Sequence, residues 1–215
     1  MSRQLLVEYN SSFKATHSEI QESVSKNDGR LIIRNVLLQR ADTPNKNKRV
    51  YPKRILEREL QNYMQSVKNK DAFSELDHPM GEEGNVVSVK NVCQAILDAH
   101  WKGNEIYGDV EILPTRSGND VRAILMAGYR LGQSSRGLGS VKPLREGSEE
   151  DLVEVQDDFE LITLADIVSN PSTHNANMKV PVTENYTQTS NGVFMPERKL
   201  INMLDNILLN FKDLK

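Results

Sequence analysis

The spacing of apolar positions changes several times along the chain, and each change marks an element. Residues 3–9 (RQLLVEY) form a short apolar run that reads as a strand or an arm. Residues 10–29 are polar, rich in Ser, Glu and Lys, and close on Asn27-Asp28-Gly29, where Asp-Gly signals a turn. RLIIRNVLLQR (30–40) is dense in branched aliphatic residues with no breaker, which predicts a strand. Beyond a polar, basic loop at 42–50, Ile55, Leu56, Leu60, Tyr63, Met64 and Val67 recur at helical spacing behind Pro52, predicting a helix over 52–69. FSELDHPMGEEGN (73–85) reads as a loop, and VVSVKNVCQAILDAHW as a strand. The strand turns at Gly103-Asn104 into a return strand, IYGDVEIL (106–113). SGNDVRAILMAGYR (117–130) predicts a helix capped by Ser117 and ending near Gly128. GQSSRGLGSV (132–141) is punctuated by glycine and reads as a loop or irregular strand. LVEVQDDFELITLADIVSNPS (152–172) reads as two strands.

Residues 173–195, rich in Asn, Thr, Ser and Pro, read as a linker, and Pro196 opens an amphipathic helix over 196–215. The chain therefore divides into an arm (1–29), a folded unit (30–172), a linker (173–195) and a helical tail (196–215). The expected class is α+β, a core of mostly antiparallel strands with surrounding helices.

Composition narrows the function classes. With 27 basic and 30 acidic residues in 215, the net charge of -3 gives no basic surplus for nucleic acid or an anionic membrane. Apolar stretches fall short of the roughly 18–20 residues that cross a bilayer, and the N-terminus lacks a signal-like segment. One cysteine, Cys93, cannot form an internal disulfide, so a reducing, intracellular setting is expected. Its apolar surroundings favour a small core residue over a nucleophile.

Chemistry has few places to sit. Of four histidines, His17 and His174 lie in polar stretches and read as solvated, and His100 beside Trp101 reads as a buried structural residue. His78 stands apart, in Leu76-Asp77-His78-Pro79, where Pro79 restricts it to extended backbone ahead of a Gly-rich loop. Gly132-Gln133-Ser134-Ser135-Arg136-Gly137 offers hydroxyls, close backbone approach and positive charge, as a serine nucleophile needs, although a Gly/Ser hairpin turn would look the same. Asp166 is a carboxylate inside an apolar strand, costly unless paired, and a histidine N–H, a turn or an arginine would each satisfy it. Taken singly, each of the three signals is weak.

Together they fall into one pattern. NKRVYPKRILE, SELDHP, W-KGN-IYGDVEIL, G-SSRGLGS and DFELITLADIVSNPS, in that order over Leu31 to Ser172, resemble the prohead core protein proteases of large tailed bacteriophages. That family is itself similar to the herpesvirus assemblin-type maturation protease. The resemblance implies a β-barrel-like core, a protease domain over 30–172 and a virion-precursor (prohead core) location in the bacterial cytoplasm. It implies His78 as general base, Ser134 as nucleophile and Asp166 as the group orienting His78, where assemblin-type enzymes use a second histidine. Ser135, adjacent to Ser134, is the rival nucleophile, and strand alternation would send the two hydroxyls to opposite sides. The backbone N–H groups of Arg136 and Gly137 are the oxyanion candidates.

The same resemblance implies cleavage after Glu in Leu/Ile-x-Glu sites of scaffold, core and major capsid proteins. No cofactor or metal is implied, and a homo-oligomer, with a cyclic ring among its forms, is expected. Leu6-Val7-Glu8, Ile20-Gln21-Glu22 and, more loosely, Val182-Thr183-Glu184 then become self-cleavage candidates, at Glu8, Glu22 and Glu184; Leu152-Val153-Glu154 reads as strand-protected. The N-terminal arm is expected to fill the substrate groove until it is cut. Arg136, Arg34 and Arg49 are the cations available to read the glutamate. Two other readings compete: a non-catalytic core or scaffold component, and a metal hydrolase using His78, Asp77, Glu75 and His100, whose spacing matches no common zinc pattern.

Overall fold

The computed structural model describes residues 3–79, 84–144, 152–169, 186–188 and 194–196. The chain divides into two compact units, Met1–Lys179 and Val180–Lys215.

β1 (Gln4–Phe13) runs antiparallel to β7 (Leu131–Gly139), and β10 (Glu160–Val168) lies antiparallel on the other side of β7. The segment expected to be a loop or irregular strand is a central strand, buried along nearly its whole length, with register shifts against both neighbours. Its glycines belong to packing. A Cβ on Gly137 would lie 2.5 Å from the Phe159 ring and 2.6 Å from the Glu160 carbonyl oxygen, closer than atoms can approach.

A second sheet runs β2 (Leu31–Arg40), β6 (Glu105–Ile112), β5 (Val92–Lys102), β4 (Phe73–Glu75), all antiparallel. β5 and β6 form the expected hairpin, with Gly103 at φ +64 in its turn. A small third sheet joins β3 (Arg49–Val50), β9 (Val153–Val155) and β8 (Val141–Pro143). The class is α+β, with mostly antiparallel strands and three helices among the described residues. These ladders remain separate sheets, and no ladder among the described residues closes them into the expected barrel.

The helices obey capping rules. α2 (Lys53–Asn69) begins after Pro52 and buries Ile55, Leu56, Leu60 and Tyr63 at the predicted spacing. α3 (Arg116–Met126) is capped by Thr115, not Ser117; the Thr115 hydroxyl accepts from the Gly118 N–H at 3.0 Å. α1 (His17–Lys26) falls in the stretch read only as polar. Its signal was present: Thr16 and Glu19 form a reciprocal capping box, and Ile20 buries the apolar side. Within the expected arm, β1 and α1 both contribute buried residues (Leu6, Phe13, Ile20) to the core.

In the second unit, β11 (Tyr186–Gln188) pairs antiparallel with β12 (Phe194–Pro196). β11 and the first two residues of β12 lie in the expected linker, and Pro196 ends a strand where a helix was expected to begin. His174, Glu184 and the rest of the expected tail helix lie outside the described residues.

Candidate active site

The side chains singled out on separate elements converge at one end of the β1-β7-β10 sheet. Ser134 on β7 and Asp166 on β10 are direct partners in the ladder. His78 arrives from the segment after β4. Leu76 bridges Ile167 of β10, and the Asp77 N–H donates to the Ile167 carbonyl at 2.8 Å. Asp77 then turns with φ +61, a left-handed geometry that short polar side chains tolerate. Two anchors and one turn fix where the imidazole lands.

The result is a continuous hydrogen-bonded chain. His78 Nδ1 lies 2.8 Å from Asp166 Oδ2, and His78 Nε2 lies 2.6 Å from Ser134 Oγ. A carboxylate only accepts, so Nδ1 carries the proton; in the neutral ring Nε2 is then the acceptor, and the Ser134 hydroxyl donates to it. Asp166 and Ser134 are fully buried, and the His78 side chain is 11% exposed. Such a chain allows a hydroxyl to lose its proton to a held imidazole.

Beneath it lies a second, buried charge cluster. The Arg136 and Glu75 side chains are both 0% exposed, with Arg136 Nη2 donating to Glu75 Oε2 at 2.5 Å. Arg136 Nε sits 2.8 Å from Asp166 Oδ2, an ion-pair approach without hydrogen-bond alignment. Arg136 Nη1 donates to the carbonyls of Gly84 and Val86, and the Glu75 N–H donates to Asp166 Oδ1 at 2.8 Å. The Asp166 charge, expensive in a dry interior, is thereby met by an arginine, a histidine N–H and a backbone N–H. Arg136 faces inward to this cluster and is not free to read a substrate glutamate.

The other candidates separate clearly. Ser135 points away from His78, and its Oγ accepts from Gln39 Nε2 at 2.8 Å, as alternation along a strand requires. Arg34 is exposed and paired with Asp109. Arg49 donates to Glu8. Glu22 is exposed on α1 and paired with Lys26, and Glu154 lies in β9 between two strands. His100, expected to be buried, is exposed beside Asp98, because its position on β5 faces outward. His17 is half-buried. Cys93 is fully buried, and burial pushes its thiol pKa far up, consistent with a core residue. Glu75, weighed only as a metal ligand, instead belongs to the arginine cluster. Among the described residues no group of three His, Cys, Asp or Glu side chains is placed to hold a metal ion.

Not singled out from the sequence were Gln39, Asn45 and Tyr51, which face the β1 side of the site. The visible signal was a donor-rich run, Asn45-Lys46-Asn47-Lys48-Arg49-Val50-Tyr51, whose target only the fold supplies.

Comparison with known proteins gives a consistent answer. The model of a family described as prohead core protein serine protease matches residues 14–187. The prohead core protein protease of Enterobacteria phage T4 is 37% identical over 149 residues, covering 68% of this chain; the chain spans 66% of that protein's length. Among solved structures, the bacteriophage T4 capsid assembly protease matches with a TM-score of 0.63 at 29% identity, covering 79% of this chain and 99% of that one.

Proposed function

Because the chain belongs to the prohead core protein serine protease family, we propose that it is a serine endopeptidase of prohead maturation, with Ser134 as nucleophile, His78 as general base and Asp166 as the group that orients His78. The observation that carries this reading is the unbroken Ser134–His78–Asp166 hydrogen-bond chain, with links of 2.6 and 2.8 Å. His78 Nε2 takes the Ser134 proton as Oγ attacks the peptide carbonyl. Backbone N–H groups at Arg136 and Gly137 hold the oxyanion, and His78 returns the proton to the leaving amine. The Arg136 side chain, together with the Glu75 N–H, holds the Asp166 carboxylate in place.

The substrates in this reading are scaffold, core and major capsid proteins of the assembling particle in the bacterial cytoplasm. They are cut after Glu in Leu/Ile-x-Glu sites. Neither nucleic acid nor membrane is a partner, and the enzyme works as a homo-oligomer, with a cyclic ring the first arrangement to look for. Self-cleavage after Glu8 releases residues 1–8, which carry the first half of β1. Glu22, held in a helix, would need local unfolding before it could be cut.

The test is intact-mass analysis of the chain and of an Ile-x-Glu peptide after incubation. Wild type should cut after Glu. Ser134→Ala should lose at least about 10³-fold in rate, whereas Ser135→Ala should stay within about tenfold. Equal cutting by wild type and Ser134→Ala would exclude Ser134 as the nucleophile.

A further inference from the structure

Residues directly opposite each other in an antiparallel ladder send their side chains to the same face of the sheet. Ser134 is opposite Asp166, and Arg136 is opposite Thr163. Ser134 and Arg136 are two apart on β7, so Asp166 and Thr163 share their face as well. Yet Thr163 and Asp166 are three apart, a spacing that regular alternation sends to opposite faces. The ladder resolves this with one extra residue. β10 takes three steps from Thr163 to Asp166 while β7 takes two from Arg136 to Ser134. Without that residue Ala165 would be opposite Ser134, and the Asp166 carboxylate would leave the His78 face. A bulge thus decides which side chain meets the imidazole.

A bulge takes main-chain groups out of the ladder, and buried groups must find other partners. Leu164 and Ala165 are both fully buried. The Ala165 N–H donates to Thr163 Oγ1 at 3.5 Å. That hydroxyl is itself tied to β4, 2.8 Å from Ser74 Oγ and 3.2 Å from the Phe73 carbonyl oxygen, to which it donates. The Ala165 carbonyl accepts from Gln94 Nε2. A carbonyl only accepts, so the Gln94 amide turns its NH₂ group toward it. The same NH₂ group donates to Gln133 Oε1 at 2.8 Å, and Gln133 Nε2 donates back to Gln94 Oε1 at 3.2 Å. Both glutamines are fully buried.

Gln94 is mounted on the other sheet. Its position on β5 pairs with Ile112 of β6 on one side and with Ser74 of β4 on the other, so its backbone is held along both edges. From there one carboxamide reaches Gln133, the residue before Ser134, and Ala165, the residue before Asp166.

We infer that Gln94 is a positioning residue: its carboxamide clamps the β10 bulge and so holds Asp166, rather than Ala165, opposite Ser134. The inference rests on the reading of Ser134, His78 and Asp166 as catalytic, but the register it governs can be observed without turnover. Leucine at position 94 fills much the same space and cannot donate. It leaves the Ala165 carbonyl and the Gln133 amide unsatisfied in a dry interior. The bulged register then loses its buried donor, and the regular register gains on it.

The experiment uses the full-length chain, isotope-labelled for NMR, beside cleavage of an Ile-x-Glu peptide. Cross-strand nuclear Overhauser contacts report which residue is opposite Ser134. Wild type should show the Ser134–Asp166 contact. In Gln94→Leu that contact should give way to Ser134–Ala165. Its kcat should fall at least about tenfold while KM stays within about twofold, because alignment and not substrate binding is lost. The double variant Gln94→Leu/Gln133→Leu removes the orphaned amide and keeps one defect, the missing donor to Ala165, so it should fold and still show both losses. Gln133→Leu alone keeps the Gln94 bond to Ala165 and should lose several-fold less. Retention of the Ser134–Asp166 contact in the double variant overturns the clamp. So does equal loss in Gln94→Leu and Gln133→Leu, a shifted register with kcat unchanged, or failure of both Gln94 variants to fold, which would make Gln94 a core residue only. A shifted register beside a wild type that never cuts would count against the peptidase reading and leave the clamp standing.

Discussion

Asp166 meets three groups with two oxygens: the Glu75 N–H on one, and His78 Nδ1 and Arg136 Nε on the other, with Ser134 one link beyond. A residue so placed has two functions at once, holding the imidazole tautomer and neutralising a buried guanidinium. The two can be separated. Asp166→Asn keeps size and shape but removes the charge, so activity should fall by roughly 10³–10⁴-fold as the tautomer is lost. It should also destabilise the fold by about 3–5 kcal/mol, because Arg136 is left with Glu75 as its one charged partner in a dry site. Urea midpoints measured beside peptide cleavage check both. Full stability with lost activity would mean that Arg136 does not depend on Asp166.

At the scale of elements, β7 decides the site. It is central, so one strand presents Ser134 to His78, Ser135 to Gln39, one edge to β10 and the other to β1. Its register on β10 places Ser134 opposite Asp166. Gly137 is what allows Phe159 and the Glu160 backbone to close over that strand, with approach distances of 2.5 and 2.6 Å to an added Cβ. Gly137→Ala should therefore cost about 1–3 kcal/mol by overpacking, read as a lowered thermal midpoint. It should also slow peptide cleavage, because β10 and its Asp166 must shift. An unchanged midpoint would show that Phe159 can move aside freely.

At the scale of the whole molecule, the larger of the two core clusters among the described residues encloses two buried tyrosines, Tyr51 and Tyr63. Tyr63 is raised from 10.0 to about 12 by burial, and Tyr51 is raised well above 10.0 by burial and by Glu8. Both folded values lie above the unfolded one, so the folded state holds these protons more tightly. The stability this gives is fully present below about pH 10 and is lost as pH climbs through the folded values. The urea midpoint should consequently fall between about pH 10 and pH 12, and Tyr63→Phe should make the fall shallower. A fall equally steep in Tyr63→Phe would place its cause elsewhere.

Much of this was readable in the residues because it depends on neighbours in sequence. The β5–β6 hairpin follows from a glycine turn between apolar runs, and α2 follows from its helical spacing behind Pro52. α1 was equally legible through Thr16 and Glu19 but was masked by the polarity around it. The motifs around His78, Ser134 and Asp166 were visible as three separate weak signals, and resemblance joined them. Their 2.6 and 2.8 Å links, the burial of Arg136 under them and the exposure of His100 depend on strand order and register. So does the meeting of Glu8 with a loop some forty residues away. Local sequence determined which segments extend, coil and turn, because propensity and capping act over a few residues. The tertiary structure alone decided which buried charge faces which partner, because that choice is made across sheets by pairing that no local pattern encodes.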